Sequence, residues 1–436
     1  MKKALLVFIF LIFIAVGVYL FWTDFSLVKK LIGYNVPELN EPKIVTPSRD
    51  EKLSFLNVPE GFKISVAVKG LENSRVILFD ARGRMLVSET KAGRVSVLEG
   101  SGFEIKHALI EGLRSPHGLD FYKDDKTNTT YLYIAETQRV ARYLYNVDTG
   151  QLTSSTGENI ATLPADGGHV TRTISFGANF REKPILGLAT IDPIKLYISV
   201  GSSCDVCEES SWKRGAILES DAKGSYTAEF AGGLRNSVFF TFHPVTGEIW
   251  ATEMGRDNLG DNLPPDEINI VKVAGSEHEF GARRFGWPFC YGNKIKDKTF
   301  NPDKWERIDV TNDCSKTESP VIEIQAHSAP LGLAFIPSTS SGQVSKWPQE
   351  WAGDLLVAFH GSWNRSAPVG YEVVRYDLDE KGNVLSREPV SFISGWLDQS
   401  KEEIYGRPVD LKFGPDNALY ISDDASGLIY KVEPSN

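Results

Sequence analysis

His169 stands in the stretch GGHVTRTISFG (167–177), three residues ahead of Arg172 and just before a short strand-like run. Imidazole is the side chain whose ordinary pKa suits proton transfer near neutrality. The two glycines before it free the backbone to carry it close to a reacting group. Polar residues recur at the matching point of other apolar runs: Arg75, His117, Arg235 with Asn236, His327 and Arg407. Singly, each reads as a loop hydrogen-bonder. Together they make a cationic and imidazole set in a chain of net charge −10, which suits an anionic small ligand.

The runs that these residues open share one pattern, an apolar strand, a turn, and a second apolar strand ending in small or acidic residues. It recurs at 75–90, 117–137, 171–202, 236–255, 330–361 and 408–424. Turn chemistry separates the paired strands at Arg82-Gly83, Thr246-Gly247 and Asp416-Asn417. Helical periodicity is scarce. Short antiparallel sheets repeated at about 60 residues predict an all-β, six-bladed β-propeller, with room for four strands per blade. In that fold the inner strand of each blade lines a central channel, so equivalent positions meet around one end of the axis. A β-sandwich would not produce so regular a cycle. The insertions are unequal and largest around 256–330, where loops carrying function are expected.

The fourth cycle runs on into EMGRDNLGDNLPPDEINIV (253–271), which sets Glu253, Asp257, Asp261, Asp266 and Glu267 among glycines and prolines. Irregular and rich in oxygen, it suits a hard cation such as calcium held partly by backbone carbonyls, or else a solvated acidic loop. It is not an EF-hand, since Leu259 falls at the third ligand position after Asp257. The chain has no G-x-S-x-G elbow, P-loop or H-E-x-x-H, and no G-x-G-x-x-G between strand and helix. Common serine hydrolases and nicotinamide enzymes are thereby disfavoured, and the acidic balance argues against nucleic acid.

At the N-terminus Lys2 and Lys3 precede an unbroken apolar run from Ala4 to Trp22. At 1.5 Å per residue the run spans about 28 Å, enough for the hydrocarbon core. It ends in Tyr19, Leu20, Phe21 and Trp22 with no small-residue cleavage site, which fits an interfacial aromatic belt and an uncleaved anchor better than a signal peptide. Residues 1–22 are therefore expected to anchor the chain in a membrane, 23–55 to form a proline-bearing stalk, and 56–436 to form an extracytoplasmic propeller domain. The four cysteines fit an oxidising compartment. Cys204 and Cys207 make a C-x-x-C without a second knuckle, so two disulfides, Cys204–Cys207 and Cys290–Cys314, are preferred to zinc.

The motifs GGHVTRTISF, GLRNSVFFTFHPVTGEIWATE, RDNLGDNLPPDE, FGWPFCYG, HSAPLGLAF, HGSWNRSAPVGYEVV and GRPVDLKFGPDNALYISDD, in that order from about residue 58 onward, resemble the glucose/sorbosone dehydrogenases, and most closely the L-sorbosone dehydrogenase-like branch. The resemblance implies a six-bladed propeller that holds pyrroloquinoline quinone (PQQ) and Ca2+ at one end of its channel. By motif it implies His169 as the catalytic base. Arg172, Arg235, Asn236 and Arg407 become cofactor contacts, with Arg365 of HGSWNRS standing in for a cofactor lysine of the soluble enzymes. Gly255 and Arg256 fall at the turn whose carbonyls hold the metal, with Asp266 nearby; Met254-Gly255-Arg256 stands where those enzymes have His-Gly-Pro. The implied activity is oxidation of a sugar or aldehyde outside the membrane, with electrons passed on to an acceptor. A non-catalytic propeller that binds a ligand or protein partner is the alternative. A calcium-dependent lactonase would need an acidic ring on the axis, where this chain has Arg and His.

Overall fold

The structure is a computed structural model that describes residues 43–44, 53–180, 193–271, 283–302, 312–338 and 346–435. The apolar run Ala4–Trp22 and most of the stalk lie outside the described residues. Among those described, no helix is long and apolar enough to cross a membrane.

Six sheets of four or five strands follow one another along the chain, as the repeated cycle predicts, antiparallel except where Ala231–Gly232 pairs parallel with Arg283–Arg284. Their inner strands are Ser74–Phe79, Leu119–Asp124, Ile174–Ala178, Phe240–Phe242, Pro330–Phe335 and Pro408–Phe413. Each pairs with the strand that follows it, in four of the blades through a short turn. At three of these turns Gly83, Gly247 and Asn417 adopt φ of 79°, 71° and 62°, the left-handed conformation that glycine and asparagine tolerate. Second strands such as Met85–Glu89, Ile249–Glu253 and Leu355–Phe359 are buried along their whole length, and apolar side chains from neighbouring blades pack into shared cores between them. The sixth blade is closed by the strand Phe62–Val68, which pairs antiparallel with Leu428–Pro434 (Ile64 opposite Val432), so the two ends of the domain fasten the ring.

Polar links tie successive blades at the channel. Ser422 Oγ accepts from the Asp410 amide in its own blade and donates to the Arg75 carbonyl of the first. Asp410 in turn accepts from the Ile77 amide, and Asp120 accepts from the Phe176 amide of the next blade. Asp410 is buried and Asp120 half-buried, and desolvation raises the pKa of both against the hydrogen bonds that oppose it. These bonds hold the inner strands in a fixed stagger, which fixes where the residues before each strand meet.

Both predicted disulfides are present: Cys204–Cys207, and Cys290–Cys314 across the long fourth-blade insertion. No free cysteine remains among the described residues.

Candidate functional site

Four second strands end in an acid, and each acid accepts a backbone N–H from the loop that enters the inner strand of its own blade. Glu89 accepts from Glu72, Glu136 from Arg114, Glu253 from Asn236 and Asp423 from Arg407. The acids thus seat the loops that carry the polar ring. Glu253, read in sequence among acids suited to calcium, belongs to this repeated device; burial carries its carboxyl up to about 8 against bonds from Ser237 and Asn236.

Around the axis the ring residues reach their neighbours. Arg75 of the first blade donates to Asp424 of the sixth (2.7 Å), and His360 of the fifth lies 2.9 Å from the other Asp424 oxygen. Its contacts with His360 and with the Arg75 guanidinium hold Asp424 well below the usual carboxylate range despite its burial, while burial lowers the His360 pKa. Arg407 donates to the Gly361 carbonyl and the Tyr371 hydroxyl, lies 4.8 Å over the Tyr371 ring, and pairs with no carboxylate among the described residues. His117 is fully buried, with Nδ1 3.4 Å from Thr173 Oγ1, and its Nε2 finds no hydrogen-bond partner among the described residues. Burial, then the charge of Arg75, keeps it neutral. His327 sits at φ 67° with Nε2 2.8 Å from the Gly260 carbonyl, a conformation costly for a non-glycine residue.

His169 is positioned by its backbone and by Ser202. A Cβ on Gly201 would lie 2.7 Å from His169 Cβ and 2.4 Å from Asn236 Oδ1, so only glycine lets these two residues meet there. His169 Nδ1 lies 2.8 Å from the Ser202 carbonyl, which can only accept, so Nδ1 carries the proton and Nε2 the lone pair. Burial, reinforced by the charge of Arg235, lowers its pKa to about 4. The imidazole is neutral at physiological pH, in the tautomer a general base needs.

Other predicted contacts serve the loops. Arg172 is wholly buried and donates to the carbonyls of Pro164, His169 and Thr171, fixing the His169 loop from behind. Arg365 ties the Asp261 and Ala326 carbonyls together. The acids of 253–271 separate: Asp266 accepts from the amides of Gly255 and Ala329, Glu267 from Asn269 and Gly292, and Asp261 from Ser366. Among the described residues, no three of these side chains meet in a metal-binding cluster; the one group that does, Cys204, Cys207 and Glu209, has its two sulfurs joined. The Arg256 side chain reaches Asp297 (2.7 Å) and Thr299.

Arg235 is the centre of a separate network. Its Nε donates to the Asp205 carbonyl (3.1 Å), Nη1 to the carbonyls of Gly255 (2.8 Å) and Met254 (3.4 Å), and Nη2 to Asp205 Oδ1 and Asp257 Oδ2, both at 3.0 Å. Asp205, Asp424 and His360 were not legible as site residues, since none occupies the repeated ring position. The only cue to Asp205 was its place inside C-x-x-C.

A cavity of about 1180 Å³ extends to the opposite ends of the inner strands, beside Asp120, His243, Phe335 and Lys412. Its buried acids are engaged in the links between blades, so the ring is the better candidate for chemistry.

The donor set fits the groups the resemblance implies. PQQ carries three carboxylates, and Arg75, Arg407 and His117 offer buried or half-buried donors that protein acceptors do not use up, including the unpartnered Arg75 Nε and His117 Nε2. Around Arg235 the acceptors are all oxygens, three carbonyls and two carboxylates, which is the chemistry of a calcium ligand set.

The sequence model of the TrAA12-like family matches residues 56–435. An uncharacterized protein of Borreliella burgdorferi is 29% identical over 400 residues, 89% of this chain and 93% of that one. A pyrroloquinoline quinone-dependent sugar dehydrogenase of Hypocrea jecorina is 22% identical over 408 residues, 86% of this chain and 89% of that one. A calcium structure of the Trichoderma reesei carbohydrate-active enzyme of family AA12 superposes with a TM-score of 0.69 at 22% identity, over 91% of this chain and 100% of that one.

Proposed function

The chain belongs to the TrAA12-like family, and from that premise we propose that it is a quinoprotein sugar dehydrogenase, with PQQ held by the polar ring and His169 as the general base. The observation that carries the proposal is the imidazole of His169, fixed by Ser202 as the Nδ1–H tautomer beside the cationic ring. When bound, PQQ supplies the quinone that accepts hydride from the substrate carbon. His169 Nε2 takes the proton of the hydroxyl on that carbon, so the alcohol becomes a carbonyl as proton and hydride part. Ser202 holds the ring plane through both its carbonyl and its Oγ (3.0 Å). Arg407 and Arg75 orient carboxylates, and Asn236, seated by Glu253, lies against Gly201 beside His169.

The relative from Hypocrea jecorina supports an aldose or a related sugar as the substrate class. The Ala4–Trp22 run supports an anchor that places the propeller outside the cytoplasmic membrane, and the two disulfides agree with that compartment. Electrons then leave to an external acceptor. The test is to titrate the purified chain with PQQ, with and without Ca2+, follow the quinone absorbance, and assay dye reduction with aldoses and aldehydes. Saturable binding with turnover is expected.

A non-catalytic ligand-binding propeller is the second reading. It is favoured by the complete internal satisfaction of Arg235, whose five N–H groups all have protein acceptors. Binding of PQQ without turnover of any sugar or aldehyde would select it.

A further inference from the structure

In four blades an acid at the end of the second strand seats the loop that enters the inner strand, but in the third blade Val200 holds that place. The loop left without an acid is the one that carries His169. There the stretch from Gly201 to Cys207 takes over. The Ser203 carbonyl accepts from the Gly168 amide (3.0 Å), and a Cβ on Gly167 would lie 2.4 Å from Ser203 Cα, so the two backbones meet with no side chain between them. Ser203 is held in turn by the buried Glu209, which accepts from its amide and from its hydroxyl (2.9 Å). Ser202 Oγ lies 2.6 Å from the Cys204 carbonyl, which only accepts, so the hydroxyl hydrogen points there. Its oxygen is thereby left as the acceptor for His169 Nδ1–H at 3.0 Å. The place of the Cys204 carbonyl decides how the Ser202 hydroxyl faces the imidazole, and that carbonyl belongs to a four-residue ring closed by Cys204–Cys207.

We propose that the Cys204–Cys207 disulfide, with Glu209 behind it, positions the proton-transferring base, and that turnover depends on this pair staying oxidised. The inference rests on the quinoprotein reading, since that reading makes His169 the base. Closing four residues into one ring removes the freedom that would let the Cys204 peptide turn, so the Ser202 hydroxyl is preorganised for one tautomer of His169. An acid seats its loop whatever the redox state; this seat contains a bond that a dithiol can open. Cys204 and Cys207 are both half-buried, whereas Cys290 of the other disulfide is buried, so a dithiol reaches the short ring first. Its thiolate attacks one sulfur, the S–S bond breaks through a mixed disulfide, and the dithiol leaves as its own disulfide. Two electrons and two protons pass to the chain, which gains two S–H bonds. Asp205 keeps its bonds to Arg235 and Trp287, and Ser203 keeps Glu209. The Cys204 peptide between them is freed, and His169 loses one of its two anchors on Ser202.

The experiment reduces the full-length apoprotein with dithiothreitol and removes the reagent before PQQ and Ca2+ are added, with the freed thiols identified by alkylation and peptide mass spectrometry. Reduction of Cys204 and Cys207 should lower kcat about tenfold or more, while KM and PQQ affinity stay within about twofold of the oxidised protein. Reoxidation should restore kcat. Cys204→Ser/Cys207→Ser should stay at the low kcat and ignore dithiol, whereas Cys290→Ser/Cys314→Ser should keep the response. Glu209→Gln, which retains one acceptor for Ser203, should give a smaller loss of the same kind. Hydrogen exchange supplies a readout that needs no turnover: amides of 167–172 should exchange about tenfold faster in the reduced protein and in Cys204→Ser/Cys207→Ser, with the strand Ile194–Val200 unchanged. The proposal is overturned if Cys204→Ser/Cys207→Ser, folded by circular dichroism, matches wild type in kcat or in the exchange of 167–172. A loss of kcat matched by an equal loss of PQQ affinity overturns it too, since that marks a general loss of structure. Faster exchange at 167–172 in a protein that turns over no sugar or aldehyde supports the clamp and sinks the quinoprotein reading. Quinoprotein turnover indifferent to reduction does the reverse.

Discussion

Protonation of His169 should cost the fold a measurable amount. Its pKa falls from 6.5 to about 4, first through burial and then through the charge of Arg235, with the Ser202 carbonyl opposing both. Because the folded value lies below the unfolded one, the unfolded chain binds the extra proton between pH 4 and 6.5. The contribution is therefore complete above the unfolded pKa and is lost as pH falls toward the folded one. At 1.36 kcal/mol per pKa unit the whole gap is worth about 3.4 kcal/mol, of which about 2.4 is lost between pH 7 and pH 4.5. His169→Gln removes the titrating group but keeps an amide donor for Ser202. Urea unfolding at pH 7 and 4.5 should show wild type losing about 2.4 kcal/mol more than the variant, since the other titrating groups are common to both. In the loaded enzyme the acid limb of kcat/KM should fall near pH 4, where Nε2 loses its lone pair. Parallel stability losses in the two proteins, or an acid limb near 6.5, would refute the argument that burial and Arg235 keep this imidazole neutral.

His169→Ala should lower turnover about 10²–10⁴-fold while PQQ binding, read from the quinone absorbance, stays close to wild type. Arg407→Ala should weaken PQQ binding about 10- to 150-fold, the equivalent of one charge-assisted contact of about 1.5–3 kcal/mol. The Cys290→Ser/Cys314→Ser double variant opens a link across 24 residues and should lose about 3.5 kcal/mol in chemical denaturation. The full-length chain should pellet with membranes and keep Met1; a mature N-terminus between residues 22 and 50 in intact cells would count against the anchor.

The propeller was legible because its evidence is local and repeated. Each strand pair announces itself by an apolar run, a turn residue able to adopt positive φ, and a second apolar run, and Gly83, Gly247 and Asn417 do adopt it. The closing strand was not legible. Phe62–Val68 alternates like any half-buried strand, and nothing in its own residues says that its partner is Leu428–Pro434 at the far end of the chain. The ring could be found in sequence for the same reason as the blades, because its members recur at one position, but their partners could not.

The acids show where reading by type alone goes astray. Glu253 looks like a metal ligand when read within 253–271, yet it is one of four acids that close second strands, with Glu89, Glu136 and Asp423, each seating a backbone amide. Strand register places Val200 and Phe359 at the corresponding points of the third and fifth blades, where no acid seats the loop. Ser202 and Asp205 stand two and five residues beyond Val200, and His360 directly follows Phe359. A residue that obeys the repeat is accounted for by what every blade needs. Ser202 orienting His169, Asp205 gripping Arg235 and His360 on Asp424 answer to no such need. The chemistry of this site therefore lies where the repeat is broken as much as where it is kept.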